Sequence, residues 1–213
     1  MTLTAGDSQN YTGTVTNLVL PTAERIHLED IIHSLSLQCR FNGHCKQFYS
    51  VAEHSMHVEQ WYRYSHSNQI PMVSGSKAKL KFEKECMYAL LHDAPETYTG
   101  DIITPNKNLY GYSELKLTEM EIMDLIAAKF DLGPKPEGLK AADLSLLLLE
   151  YEKLHKPALP GNEWPELKNA EYPWNITIEC LWPVEAEAVF SKKVYTGLHK
   201  IETLKRACDK LSG

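Results

Sequence analysis

The sequence is poor in the features that mark secreted, membrane-spanning or polyanion-coating proteins. It has five cysteines, at 39, 45, 86, 180 and 208, an odd number with no Cys-x-x-Cys pair. That pattern excludes a disulfide framework and a cysteine zinc site, and fits a reducing compartment. No apolar run approaches a bilayer span; the longest, Leu144–Leu149, is broken by Ser145. The first ten residues, MTLTAGDSQN, are polar and lack the basic-then-apolar pattern of a signal peptide, so the expected location is the cytoplasm. Positive charge is also scarce: 22 Lys+Arg against 28 Asp+Glu give −6. A coat for nucleic-acid polymers needs clustered cations, and is excluded; a site for a small anion needs only two or three. Internal repeats and low-complexity tracts are absent as well.

What remains is an ordinary globular composition, 43% apolar and 23% charged over 213 residues, enough for one domain with a sizeable core. Residues 1–20 carry no helical period and read as an arm, with a short strand at Leu18–Leu20. Beyond them the pattern is helical. His27–Gln38 places Ile31, Ile32 and Leu35 on one face. Ser50–Ser65 opens with Ser50 as N-cap and Glu53 three residues on, a capping-box pattern. Lys77–Ala94 is expected to stop at Pro95. Ser113–Phe130 ends at Gly133-Pro134, and Glu137–His155 ends at Pro157 and Pro160. Val184–Leu211 reads as one long helix or as two joined near Gly197. Ser65–Ser76 and Thr99–Asn108 read as loops, and Glu163–Cys180 as irregular chain. The fold class is all-α.

Two polar residues interrupt the apolar faces. His54 lies on the stripe of Val51, Val58 and Trp61, and Asp143 on that of Leu139, Leu146 and Leu147. A hydrogen-bonded core histidine would explain the first. A buried carboxylate needs a cation, which Lys140, three residues earlier, could supply. His92 and Asp93, adjacent at a helix end beside an apolar run, complete a set of two nitrogen and two oxygen donors. Such a set suits one divalent ion, Mn, Co, Fe, Zn or Mg. A zincin arrangement fails, because His54 and His57 are three apart and Glu53 precedes them. His57 is expected at the surface or behind the ligands.

Five motifs stand in order: Arg40-Phe41-Asn42-Gly43-His44, Tyr49-Ser50-Val51-Ala52-Glu53-His54-Ser55, Leu90-Leu91-His92-Asp93-Ala94-Pro95-Glu96, Gly100-Asp101-Ile102-Ile103-Thr104-Pro105-Asn106-Lys107, and Lys140-Ala141-Ala142-Asp143. Together they resemble the HD-domain phosphohydrolases, in particular the small 5′-deoxynucleotidases and the short phage enzymes that split dATP into deoxyadenosine and triphosphate. The resemblance covers residues 22–156. It implies an HD-domain unit over 21–213 after the arm at 1–20, with a helical extension at 157–213. It implies His54, His92, Asp93 and Asp143 as ligands of a single metal ion, since no histidine lies between Asp93 and Asp143 to serve a second. Glu96 is implied as the catalytic carboxylate. Asp101 is implied as a second acid, or equally as a loop cap. Arg40, Phe41, His44, Lys107 and Lys140 are implied as substrate contacts, Phe41 against the sugar where bacterial members carry tryptophan. Either lysine reads also as a surface charge, and His44 as a structural residue.

The resemblance further implies a deoxynucleotide as small-molecule partner, with no nucleic-acid polymer and no membrane, and a homo-oligomer. The location would be the host cytoplasm if the chain is phage-encoded. Trp164, Trp174 and Trp182 would stack on a base or pack against the last helix. Rival readings are a silent nucleotide-binding sensor and a di-iron oxygenase; the intact ligand set disfavours the first, and the absence of extra histidines the second.

Overall fold

A computed structural model describes residues 3, 6–69, 76–107, 112–158 and 164–210. It is all-α apart from a small hairpin. Strands β1 (Asp7–Gln9) and β2 (Val15–Asn17) pair antiparallel with Ser8 opposite Thr16. The strand expected at 18–20 therefore lies earlier. Asn17 ends it, because its side-chain oxygen accepts the N–H groups of Val19 (2.9 Å) and Leu20 (3.0 Å) and turns the chain. The hairpin tip is tied down, since Thr12 N–H donates to Asp30 on the first helix at 2.8 Å.

Helix α1 (Leu28–Leu37) buries the expected Ile31, Ile32 and Leu35. Helix α2 (Val51–His66) starts at Ser50, whose Oγ accepts from Glu53 N at 3.0 Å. Only half of a capping box forms. The Glu53 carboxylate turns away and accepts from the N–H groups of Glu179 (2.9 Å), Cys180 (2.9 Å) and Leu181 (2.8 Å). That cradle anchors the irregular segment before the last helix and holds Cys180 at a left-handed φ of 56°. Glu53→Ala removes the acceptor of three part-buried N–H groups, so a loss of about 1–3 kcal/mol is expected. The urea midpoint measures it.

Helix α2 is the axis of the molecule, and residues Val51–Glu59 are buried all round. A single apolar stripe under-describes it, because Glu53, His54, His57 and Glu59 are buried with polar partners. Around it pack α1, α3 (Ser76–Leu90), α7 (Leu139–Leu154) and α8 (Pro183–Lys210). Helix α6 (Ser113–Lys129) adds Ile122 and Ile126 to the same core. Helix α8 is one unbroken helix through Gly197. A Cβ there would stand 2.7 Å from Met87 Sδ, so the glycine permits close approach of α3.

Helix α3 ends at Leu90, four residues short of the expected Ala94. Hydrogen bonding tightens there to three-residue closures, Ala94 N–H to Leu91 O (2.9 Å) and Glu96 N–H to Asp93 O (2.9 Å). Pro95 precedes the short α4 (Glu96–Thr99). The expected 99–108 loop contains one helical turn, α5 (Thr104–Lys107), and residue 108 lies outside the described residues, as do 70–75 of the expected 65–76 loop. Helix α7 starts two residues later than expected, after Gly138 in the left-handed region (φ 81°). No helix among the described residues is long and apolar enough to cross a membrane.

Candidate metal and phosphate site

Three elements converge: the first turns of α2, the 91–95 turn and the start of α7. His54 comes from α2 and is fully buried. Its Nε2 lies 3.5 Å from Asp93 Oδ2 and 3.4 Å from Asp143 Oδ1. His92 donates from Nδ1 to Ala89 O at 2.9 Å, which leaves Nε2 facing Asp93 Oδ1 at 3.3 Å. Donor atoms of His54, His92 and Asp143 all lie within 4.8 Å of one another, and Asp93 lies against the same two nitrogens. Both Nε2 atoms are buried without a hydrogen-bond partner among the described residues. Two such imidazole nitrogens opposite two carboxylates are a donor set for a divalent cation, and the residues fit one. The turn that shortens α3 is what points His92 and Asp93 at one place.

Charge balance leads to the same conclusion. Burial opposes ionisation of Asp143, but His54, His92 and Lys140 hold its carboxyl well below the usual range. Burial keeps His92 below its ordinary value, so its lone pair is free. For His54, burial and Arg40 disfavour the imidazolium, but Glu150 and Asp143 outweigh them and raise it to about 9. The proton on His54 therefore occupies the cation's place. Since this pKa is raised above 6.5, the imidazolium stabilises the metal-free fold fully below pH 6.5, and the contribution is lost as pH rises through 9. A metal competes for the same nitrogen. Manganese uptake is expected to release about one proton at pH 7 and almost none at pH 10; calorimetry in buffers of different ionisation enthalpy reads this directly.

Beside the histidines lies Arg40, whose Nη2 is 3.2 Å from Glu150 Oε2 and Nη1 3.7 Å from Asp93 Oδ2. Its Nε is buried with no partner among the described residues. Glu96 opens α4; Oε1 accepts from Lys107 Nζ at 3.1 Å, and Oε2 is buried with no hydrogen-bond partner among the described residues. Burial first, then Asp93 and Asp101, push its carboxyl well up. Burial raises Asp101 as well. Its N–H donates to Gln38 Oε1 at 2.9 Å, while Gln38 Nε2 donates to Glu96 O at 3.0 Å, so one amide ties both acids' backbones together.

The remaining expected residues lie at different distances from this centre. Lys107 is engaged by Glu96 and by Glu119 (3.0 Å). Lys140 is exposed and pairs with Asp143 Oδ2 at 2.8 Å, the partner its spacing allowed. Phe41 is buried against Tyr49, Leu154 and His155, under the Arg40 guanidinium. His44 is exposed, directly after the short helical turn Arg40–Gly43. Trp164 packs on Phe41, Tyr151 and His155 rather than on α8, while Trp174 and Trp182 are exposed. His57 is buried, not at the surface, with Nδ1 3.0 Å from Tyr49 Oη; burial pushes it down to about 4. A cavity of about 910 Å³ near the end of α2, lined by Tyr62, His66, Lys81 and Leu132, includes none of these groups.

Glu150 is the residue the sequence reading missed. It is fully buried, with Oε1 2.6 Å from His54 Nδ1 and Oε2 on Arg40. Arg40 and His54 overcome the burial and hold it below the ordinary carboxylate value. A signal was there: Glu150 follows four leucines and stands seven residues, two helical turns, after Asp143.

The fold and the site define an all-α protein with a buried His/Asp cation site. The HD domain family matches residues 40–158, more than half of the chain, and every residue of the site from Arg40 to Glu150 falls within that range. The chain belongs to the HD-domain family, whose members are generally metal-dependent hydrolases. An uncharacterized protein of Rhodobacter capsulatus is 34% identical over 145 residues, covering 65% of this chain and 67% of that protein. The uncharacterized protein YfdR of Escherichia coli K12 is 32% identical over 169 residues, covering 79% of this chain and 82% of that protein.

Proposed function

We propose that the protein is a phosphohydrolase of 2′-deoxynucleotides, acting on dNTPs, with dATP first among them, and releasing the deoxynucleoside and triphosphate. The observation that carries hydrolysis is the pair of imidazole nitrogens facing Asp93 and Asp143 with no hydrogen-bond partner among the described residues, with Glu96 and Arg40 beside them. His54, His92, Asp93 and Asp143 would hold the cation; when bound it neutralises phosphate charge and acidifies water. Arg40 offers a guanidinium to phosphate oxygens. Glu96 Oε2 takes the proton of the attacking water as its oxygen bonds to phosphorus. A carboxyl raised toward neutrality suits that task. The P–O5′ bond breaks, and the deoxynucleoside oxygen leaves and is protonated.

The deoxyribose, adenine and triphosphate preferences rest on the five-motif resemblance to the phage-type enzymes. The same reading includes Asp101 as a second acid, Phe41, His44, Lys107 and Lys140 at the substrate, one metal ion per chain, a homo-oligomeric state and a cytoplasmic location. Product analysis tests it: each dNTP, dNMP and matching ribonucleotide is incubated with Mg, Mn, Co or Zn in turn. Triphosphate from dNTPs, fastest with dATP and absent with ATP, is the expected result. Orthophosphate from dNMPs alone would make the protein a 5′-deoxynucleotidase. No turnover with any metal would favour a silent sensor.

A further inference from the structure

The buried carboxylate of Glu150 is shared between the two halves of the site. One oxygen, Oε1, meets His54 Nδ1 at 2.6 Å; the other, Oε2, meets Arg40 Nη2 at 3.2 Å. Tyr49, whose hydroxyl also meets His57 Nδ1 at 3.0 Å, closes the remaining side. The side chains of Glu150 and His54 are wholly shielded from water and that of Arg40 nearly so, so no solvent can substitute for a lost partner. His54 must present Nε2, which faces Asp93 and Asp143, and must therefore keep its other proton on Nδ1. Arg40 is directed toward Asp93 by the same carboxylate.

We propose that Glu150 is the positioning residue that couples the cation half of the site to its anion half, fixing the His54 tautomer through Oε1 and the Arg40 guanidinium through Oε2. This rests on the reading of His54 as a metal ligand. A carboxylate on the far nitrogen of a ligating histidine orients the ring and raises its basicity, and its loss typically weakens metal binding about 10–100-fold. Here the loss acts twice, because Arg40 is released as well. Substitution thus lowers affinity for a phosphate chain even when metal is saturating.

The test uses the full chain and three readouts independent of turnover. Zinc affinity of chelator-treated protein is measured for wild type, Glu150→Gln and Glu150→Asp. Folding of each is checked by circular dichroism. Binding of inorganic triphosphate is measured at saturating zinc. Glu150→Gln is expected to weaken zinc about 10–100-fold and triphosphate about tenfold, and Glu150→Asp to restore part of each. Nitrogen NMR of zinc-loaded wild type is expected to show His54 protonated at Nδ1 and ligated through Nε2. A folded Glu150→Gln with wild-type affinities overturns the proposal. Should neither variant fold, His54 ligated through Nδ1 in the wild type overturns it alone. No zinc uptake by the wild type sinks the metal reading itself, a distinguishable failure.

Discussion

Asp93→Ala is expected to lower hydrolysis at least about a thousandfold with the fold intact. Asp93 sits in the 91–95 turn with its side chain partly exposed, so the truncation opens no core cavity. What it removes is the carboxylate shared by His54 Nε2 (3.5 Å), His92 Nε2 (3.3 Å) and Arg40 Nη1 (3.7 Å). On the proposed reading the cation loses a ligand, and Arg40 loses a counter-charge facing the site. Stabilisation by a bound metal is worth several kcal/mol, and each 1.36 kcal/mol is tenfold in rate, so about 4 kcal/mol accounts for the thousandfold loss. Metal content and phosphate release of the purified variant measure it together. Unchanged turnover in a folded Asp93→Ala protein would contradict the enzyme reading.

Glu96→Gln is expected to lower kcat by about 10²–10⁴ while metal affinity stays within a few-fold of wild type. The amide keeps an acceptor for Lys107 but cannot take a proton at the position of the second oxygen, the one buried with no hydrogen-bond partner among the described residues. The distinction from Asp93→Ala is that chemistry fails with the cation retained. The pH profile separates them further. Glu96 is held well above the ordinary carboxylate range by burial, Asp93 and Asp101, so the acid limb of wild-type activity, where the base takes up a proton, lies at higher pH than an ordinary carboxylate would set, and the variant lacks that limb. A variant that loses metal in step with activity would assign Glu96 a ligand role instead.

Much of this architecture was legible from local pattern. Helix α1, the Ser50 cap and the span of α6 follow from apolar spacing and capping chemistry, which depend on near neighbours. His54 and Asp143 stood out because each broke an apolar stripe, and the structure brings both to one point with His92. The early end of α3 was hidden, because Pro95 marks where a helix must stop and not where a tight turn forms before it. Glu150 was hidden for a different reason. Its partners lie 96 and 110 residues away, and a carboxylate after a leucine run reads locally as a surface charge. The same distance hid the cradle that Glu53 offers to residues 179–181. The pairing of Lys107 with Glu96 and Glu119 was hidden too, since nothing in the sequence shows that the two carboxylates face it.

The central claim is that a divalent cation held by His54, His92, Asp93 and Asp143 turns this chain into a phosphohydrolase. Phosphate-ester hydrolysis by chelator-treated protein, with Mn, Co, Zn, Fe or Mg returned one at a time, tests it most directly. The account predicts no hydrolysis without metal, recovery with at least one of these ions at about one ion per chain, and no recovery in Asp93→Ala. Full activity in the stripped protein, or none in the wild type with any of the five ions, would contradict it.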